Sequence, residues 1–175
     1  MPRPTLRPRA HVALLFLLVA GVACQRVTPT TTVILVRHAE RPAGADPDLN
    51  ALGQARAESL AVSLARSNVA AILHTQFKRT QQTAAPLATQ FTLTPIVVNA
   101  GGTEAAHAAA VLDQLKAFTG RTAVYVGHSN TVPAVIQALG ITPAPPIADT
   151  EYNHFFIVTR VGNGPARLIR VRYGA

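Results

Sequence analysis

Short apolar segments rich in β-branched residues alternate with longer segments of helical periodicity along this 175-residue chain. Parallel strands need a crossover connection, usually a helix, so this alternation predicts a mainly parallel sheet with helices on both faces. The last 20 or so residues read instead as two strands joined around Gly162-Asn163-Gly164, a turn typical of antiparallel pairs. We therefore expect a three-layer α/β sandwich with antiparallel C-terminal strands. The four earlier strands are predicted at 31–36, 69–73, 94–98 and 123–126.

The intervening segments carry helix signals. Asn50 and Thr103 are good N-cap residues, and Gly120 follows the second of these helices as a C-terminal stop. The predicted helices span about 50–67, 78–90, 103–118 and 130–139, and a proline-rich loop covers 141–150. In the last strand, Ile169, Val171 and Tyr173 alternate with arginines, which predicts one buried face.

The first 24 residues carry the pattern of an export signal. Arg3, Arg7 and Arg9 precede an apolar run of 11 residues, Val12–Val22, and small residues follow. A run of about 20 apolar residues is needed to span a bilayer comfortably, so this one fits a cleavable signal better. We expect residues 1–24 to be an export signal, 25–30 a tether and 31–175 a single domain, which would place the protein in the periplasm or on a membrane.

Cys24 stands where the signal ends. The segment Gly21-Val22-Ala23-Cys24 resembles the cleavage box of bacterial lipoproteins, in which the cysteine is lipidated, although that box usually carries leucine where this chain has Gly21. Cleavage by an ordinary signal peptidase is the alternative. Because Cys24 is the only cysteine, the domain has no intrachain disulfide and depends on packing for stability.

The charge balance suits an acidic ligand. Without the three arginines of the signal, 13 basic residues face 8 acidic ones. The basic residues form no run and aromatic residues make up only 5%, which disfavours nucleic-acid binding. We expect a phosphorylated small molecule or phosphoprotein as substrate, with membrane contact only through the signal or a lipid anchor.

Two strands deliver a histidine at the same end. The first strand runs into Arg37-His38, and the fourth into Gly127-His128. The carboxyl ends of parallel strands share one edge of the sheet, where open α/β sheets bind ligands. Arg37 beside the first histidine, with Lys78-Arg79 after the second strand, disfavours a metal cation, whereas a guanidinium matches the oxygens of a phosphate. A neutral imidazole among such cations can attack phosphorus.

These residues resemble the motifs of the histidine phosphatase superfamily, which includes phosphoglycerate mutases and many phosphomonoesterases. Arg37-His38-Ala39 stands where that family has Arg-His-Gly, and Gly127-His128-Ser129 is similar to its second histidine motif. Between them lie Leu52-Gly53-Gln54-Ala55, like a helix signature of the family, and Lys78–Ala84, like its RxxQTA segment. The resemblance spans about Thr31 to Tyr173.

The resemblance implies a phosphatase that works through phosphohistidine on His38, with Arg37, Arg79 and His128 binding phosphate. Asn130, at a helix start, could add backbone N–H groups facing the anion. The family's acid glutamate follows the third strand, and Glu104 stands in that region without the surrounding motif. Other carboxylates remain open for this role: Glu40, Asp46 and Glu151. A substrate with a better leaving group could need no acid.

No metal or organic cofactor is implied, because fixed cations and N–H groups bind the phosphate. The other reading of the chain is a non-catalytic phosphate-binding or scaffold domain at the membrane surface. Three further histidines are given no site role: His74 and His154 are expected to be structural or exposed, and His107 to be solvated on an alanine-rich helix.

Overall fold

The protein forms one six-stranded sheet covered by two pairs of helices. The structure, a computed structural model, describes residues 27–174. Its strands are β1 Thr30–Arg37, β2 Val69–His74, β3 Ile96–Val97, β4 Thr122–Gly127, β5 His154–Val161 and β6 Arg167–Arg172. Its helices are α1 Ala51–Ser63, α2 Lys78–Phe91, α3 Glu104–Leu115 and α4 Thr131–Ala138, with a 3-10 turn at Lys116–Phe118. The predicted export signal at 1–24, including Cys24, lies outside the described residues.

The strand order is β3-β2-β4-β1-β5-β6. The first four strands in that order run parallel, β5 pairs antiparallel with β1, and β6 antiparallel with β5. The predicted fold class, a mainly parallel α/β sandwich with antiparallel C-terminal strands, is therefore confirmed. Strands β1 and β4 are neighbours in register, with Arg37 opposite Gly127.

The alternation of side chains along the central strands fills two separate cores. Val33, Leu35 and Tyr125 face α3 and α4, whereas Ile34 and Val36 face α1 and α2. Both faces of β1 and β4 are therefore buried, as the near-continuous apolar runs of these strands indicate. The four helices hold the central strands from both sides and fix where the strands end.

Local signals set most helix boundaries. The Asn50 side chain accepts from the Gly53 N–H at the start of α1, and Thr103 caps α3 by accepting from the Ala106 N–H. Helix α1 ends at Ser63, four residues earlier than predicted, and α3 gives way to the 3-10 turn before Gly120. Each helix within residues 27–174 is too short or too polar to cross a membrane.

The last strand departs from its predicted burial. Ile169 and Val171 are 53% and 44% exposed, and only Tyr173 of the three alternating residues is buried. Strand β6 is the outermost strand of the sheet on that side, so its apolar face extends past the helices. The prediction of one buried face on β6 is therefore wrong for most of its length.

Candidate active site

Both strand-end histidines lie at one edge of the sheet. Because β1 and β4 are adjacent and parallel, His38 and His128 leave the sheet side by side, with ring centroids 5.4 Å apart. The His38 backbone N–H also donates to the Gly127 carbonyl at 2.8 Å, which continues the ladder one residue past the strands. The structure thus brings together the two histidines that the sequence predicts to lie at one edge of the sheet.

His38 is held in one tautomer. Its Nδ1 lies 2.8 Å from the carbonyl oxygen of Ala39. A carbonyl only accepts hydrogen bonds, so Nδ1 carries the proton and Nε2 keeps its lone pair. Burial lowers the pKa of His38 to about 4; the hydrogen bond to Ala39 opposes this shift, and the positive charge of Arg37 adds to it. The ring is therefore neutral and nucleophilic near neutral pH.

His128 is positioned through both ring nitrogens. Its Nε2 lies 3.0 Å from the Thr75 hydroxyl, and the Arg79 Nε donates toward its Nδ1 at 3.4 Å. Thr75 is in turn 2.9 Å from the Thr80 hydroxyl, so the end of β2 and the start of α2 are tied to this histidine. Burial, followed by the charge of Arg79, lowers the pKa of His128 to about 3.

Arg37 is anchored by main-chain oxygens from the loop before β5. Its Nη1 donates to the carbonyls of Ala148 and Glu151 at 2.9 and 3.2 Å, and its guanidinium lies 4.1 Å from the ring centroid of Tyr152. The side chain is only 7% exposed, and its buried Nε has no hydrogen-bond partner in the structure. A buried cation with an unused donor needs an anion or water to satisfy it.

Arg79 projects from the first turn of α2. Its Nη1 lies 3.3 Å from Asp46, and its guanidinium packs 4.2 Å from the ring centroid of Phe77. Burial and the nearby charge of Arg41 lower the pKa of Arg79 from its ordinary value, an effect that Asp46 partly offsets. An anion between these cations would relieve their repulsion.

These side chains line one open cleft of about 540 Å³ at the carboxyl edge of the sheet. The predicted nucleophile His38 lines this cleft, together with the predicted phosphate-binding residues Arg37, Arg79, His128 and Asn130. The further lining residues are Arg41, Phe77, Ala100, Ser129, Thr131, Asp149 and Tyr152. Imidazoles and guanidinium groups that converge on a cleft of this size can hold a tetrahedral anion and attack it.

A buried hydrogen-bond chain lies beneath His128. The His128 N–H donates to the Thr131 hydroxyl at 2.9 Å, which is 3.0 Å from the Tyr125 hydroxyl. That hydroxyl is 2.7 Å from His107 Nε2, and His107 Nδ1 reaches the Asn99 carbonyl at 3.1 Å. His107 is 3% exposed, so the prediction that it is solvated is wrong. The partner of His107 is Tyr125 on β4, and the residue spacing of α3 alone does not indicate this contact.

The predicted acid, Glu104, stands beside the cleft rather than in its wall. Its Oε1 accepts from the Asn130 side chain at 2.9 Å, and Asn130 separates it from the histidines. Asn130 itself directly precedes α4 and makes no side-chain cap. Asp149 is the carboxylate that lines the cleft: it accepts from the Ser129 hydroxyl at 2.9 Å and lies 3.8 Å from Arg37 Nη2. Nothing in its proline-rich loop distinguishes it at the level of sequence.

The alternative carboxylates are engaged elsewhere. Glu40 pairs with Arg56 at 2.7 Å, and Asp46 accepts from the Lys78 N–H at the start of α2 while it contacts Arg79. The pKa of Glu151 is lowered to about 2, first by the Ala148 N–H and then by His154, so this group stays ionised. His74 is buried and bonds the Thr75 carbonyl, in keeping with a structural role.

No group of His, Cys, Asp and Glu among residues 27–174 is arranged to hold a metal ion. The donors that face the cleft are largely cationic or neutral nitrogens. This set fits an oxyanion better than a cation.

Part of the chain matches a known family. Residues 33–104 match the family model of the histidine phosphatase superfamily (branch 1). No curated protein matches the chain.

Solved structures share the fold at low identity. The mycobacterial glucosyl-3-phosphoglycerate phosphatase is 15% identical with a TM-score of 0.65, over 83% of this chain and 100% of that one. The protein histidine phosphatase SixA, solved with tungstate, is 17% identical with a TM-score of 0.63, over 81% and 96%. A phosphoserine phosphatase from Entamoeba histolytica, solved with 3-phosphoglyceric acid, is 16% identical with a TM-score of 0.58, over 83% and 97%. The predicted resemblance to the histidine phosphatase superfamily is thus confirmed by the family model over residues 33–104, and the chain has the phosphoglycerate mutase-like fold of these neighbours.

Proposed function

We propose that this protein is a phosphomonoesterase that forms a phosphohistidine on His38. The observation that carries the proposal is the state of that ring: its Nδ1 proton is committed to the Ala39 carbonyl, its pKa is lowered to about 4, and it lies in a cleft of cations. The match of residues 33–104 to the histidine phosphatase superfamily supports the same reaction class.

In the first step, the Nε2 lone pair attacks phosphorus and forms a P–N bond as the ester P–O bond breaks. The leaving oxygen keeps the bonding pair and takes up a proton. Arg37 and Arg79 stabilise the charge on the phosphoryl oxygens, and the unpartnered Arg37 Nε is one available donor. Nδ1 keeps its proton and donates it in a hydrogen bond to the Ala39 carbonyl. This hydrogen bond stabilises the positive charge that the phosphorylated ring acquires.

In the second step, water attacks phosphorus, the P–N bond breaks, and its electron pair returns to Nε2. The proton lost by water leaves with solvent or the departing phosphate. His128 is held by Thr75 and Arg79, so it contacts the anion but does not act as the nucleophile. The cycle ends with inorganic phosphate and the neutral His38 ring.

The proton for the leaving group has two candidate sources at the rim of the cleft. Glu104 corresponds to the sequence expectation but faces Asn130, whereas Asp149 lines the cleft directly. Turnover of an alkyl and an aryl phosphate by Glu104→Gln and Asp149→Asn separates them. The substitution that removes the general acid should lower activity on the alkyl ester by about 10²-fold or more. It should have little effect on an aryl ester, because the aryl leaving group is a weaker base.

The decisive experiment measures para-nitrophenyl phosphate turnover by wild type and His38→Ala. Loss of the nucleophile should lower kcat by about 10³-fold or more. His74→Ala is a matched control, because His74 is also a buried strand-end histidine bonded through Nδ1 to the next carbonyl, yet it does not line the cleft. Trapping with a labelled ester should give an acid-labile, base-stable phosphoprotein in wild type and His74→Ala but not in His38→Ala. Wild-type turnover by His38→Ala would refute the nucleophile.

The second candidate function is phosphate binding without turnover, favoured by the position of Glu104 outside the cleft wall. Tungstate or vanadate would then bind while no ester is hydrolysed. The names of the structural neighbours suggest phosphorylated metabolites and phosphoproteins as the first substrates to test.

A further inference from the structure

The end of the sheet opposite the cleft gathers the starts of β1, β2 and β4, the end of β5 and the start of β6. Thr31 pairs with Arg160, Thr32 and Val69 with Thr122, and Thr159 with Arg167. We call this end the basal face and define it by the residues that follow from those pairings: 27–31, 64–69, 116–122 and 160–167. It is separated from the cleft by the eight-residue length of β1, which corresponds to about 26 Å.

The basal face is strongly basic. Exposed cationic side chains lie at Arg66, Lys116, Arg121, Arg160 and Arg167. Asp113 at the end of α3 neutralises one of them through its 2.9 Å pair with Lys116, and the Arg160 Nη2 donates to the Leu139 carbonyl. Six of the 8 acidic residues of the chain lie instead around the cleft end: Glu40, Asp46, Asp48, Glu104, Asp149 and Glu151. The basal face therefore carries an excess of positive charge, whereas carboxylates and cations roughly balance at the cleft end.

The cations on this face do not converge on one cavity. They lie at the basal ends of β2, β4, β5 and β6, which together with β1 between them span about 19 Å across the sheet. A single small anion could touch only one or two of them. A surface that carries many fixed negative charges could meet them all.

The chain enters the domain at the same face. Pro29 accepts from the Gly162 N–H at 3.0 Å, and Val27 is 90% exposed beside this entry. A second apolar side chain, Val161, is 55% exposed at the end of β5. Cys24, the predicted lipidation site, precedes Thr30 by six residues, which can span at most about 20 Å. A lipid on Cys24 would hold the basal face within about two to three Debye lengths of the headgroups at physiological salt.

We propose that the basal face docks on the anionic phospholipid headgroups of a bilayer, with Arg66, Arg121 and Arg167 as its main contacts. Juxtamembrane cations of this kind are attracted to anionic lipid, and confinement by the tether raises their effective concentration at the surface. Docked in this way, the cleft points away from the bilayer and meets substrate from the aqueous side. This inference does not depend on the reaction proposed for His38.

The test measures binding of the full chain to sucrose-loaded vesicles of phosphatidylcholine, with and without phosphatidylglycerol. Wild type is compared with Arg121→Gln/Arg167→Gln and with the control Arg170→Gln/Arg172→Gln, whose exposed arginines lie further along β6 toward the cleft end. Both pairs remove the same charge, and any contribution of residues 1–26 is common to all three proteins. For each protein, the ratio of binding to vesicles with and without phosphatidylglycerol is measured. The difference in this ratio between the two variants gives the contribution of the basal face.

The basal pair should lower the preference for phosphatidylglycerol vesicles by about tenfold or more, and high salt should abolish the difference. The control pair should change it by less than about twofold. Equal losses in both variants, or no preference for anionic vesicles in wild type, would overturn the proposal. An unchanged midpoint of urea unfolding for the basal variant shows that its domain is folded, whether or not the protein hydrolyses an ester.

Discussion

The reactivity of His38 depends on its surroundings more than on its residue type. An ordinary histidine titrates near pH 6.5, but burial and three neighbouring arginines lower the pKa of His38 to about 4. We therefore expect kcat/KM to remain constant down to about pH 5, once the ionisation of the substrate is corrected for, and to fall only near pH 4. A pH profile with para-nitrophenyl phosphate tests this. An acid limb centred near pH 6.5 would contradict the lowered pKa.

Two buried tyrosines offer a matched comparison of hydroxyl groups. The Tyr125 hydroxyl contacts His107 and Thr131, whereas the buried Tyr173 hydroxyl has no hydrogen-bond partner in the structure. Tyr125→Phe leaves the buried His107 Nε2 without its partner, removes one of the contacts of Thr131, and should lower the free energy of unfolding by about 1–3 kcal/mol. Tyr173→Phe should be neutral or stabilising. Urea unfolding of both variants measures the difference.

The Tyr125 chain also reaches the active site, so stability is not its only readout. Thr131 accepts from the His128 N–H, and loss of the Tyr125 hydroxyl should loosen that turn and weaken inhibition by vanadate. Tyr173→Phe should leave inhibition unchanged. If both variants bind vanadate as wild type does, the chain supports the fold and does not position His128.

At the scale of elements, the structure explains why the motif Leu52-Gly53-Gln54-Ala55 contains a glycine. A Cβ at Gly53 would collide with the backbone of Glu40, because α1 approaches the segment after His38 at that point. Gly53→Ala should lower the melting temperature by several degrees and reduce turnover, since the displaced segment carries the nucleophile. Gly101→Ala is the control, because a Cβ there meets no atom within 4 Å. Equal melting temperatures would contradict the close approach.

The elements also show how far sequence reasoning extends. The period of the apolar residues located all six strands and four helices, and strand ends led directly to His38 and His128. Alternation on β6 correctly placed Ile169, Val171 and Tyr173 on one face, but it carried no information on whether a helix covers that face. Burial of β6 depends on the strand order of the whole sheet, which local patterns do not contain.

The cleft residues that sequence reasoning missed share a cause. Asp149 lies in an irregular loop, and Phe77 and Arg41 belong to the cleft only because other strands end nearby. Their roles come from long-range contacts rather than from spacing. Tyr152 differs from these residues, because the segment Glu151-Tyr152-Asn153 precedes a strand at the same edge and is a candidate for the substrate side from sequence alone; its ring packs on the Arg37 guanidinium.

At the scale of the whole molecule, the two histidines make the fold sensitive to mild acid. Their pKa values are about 4 and about 3 in the folded protein, against 6.5 for an ordinary histidine. Between these values the unfolded chain binds more protons than the folded one, so stability is full above about pH 6.5 and falls as pH decreases toward 4. We expect a loss on the order of 1–2 kcal/mol per histidine at about pH 5.

Urea midpoints at about pH 7.5 and pH 5 measure this loss. His38→Gln should flatten the dependence. Glu151 does not confuse the result, because its pKa of about 2 places its own contribution at lower pH. An unchanged slope in His38→Gln would show that His38 is not the source.

Arg37 is held by the main-chain oxygens of Ala148 and Glu151, and every amino acid supplies such an oxygen. The side chains of the segment that binds the guanidinium can therefore change during evolution while its hydrogen bonds to Arg37 are kept. Because the same segment forms one wall of the cleft, descendants of this protein could acquire new substrates there while the chemical machinery stayed intact. Selection for specificity and selection for reactivity would act on different atoms of the same few residues.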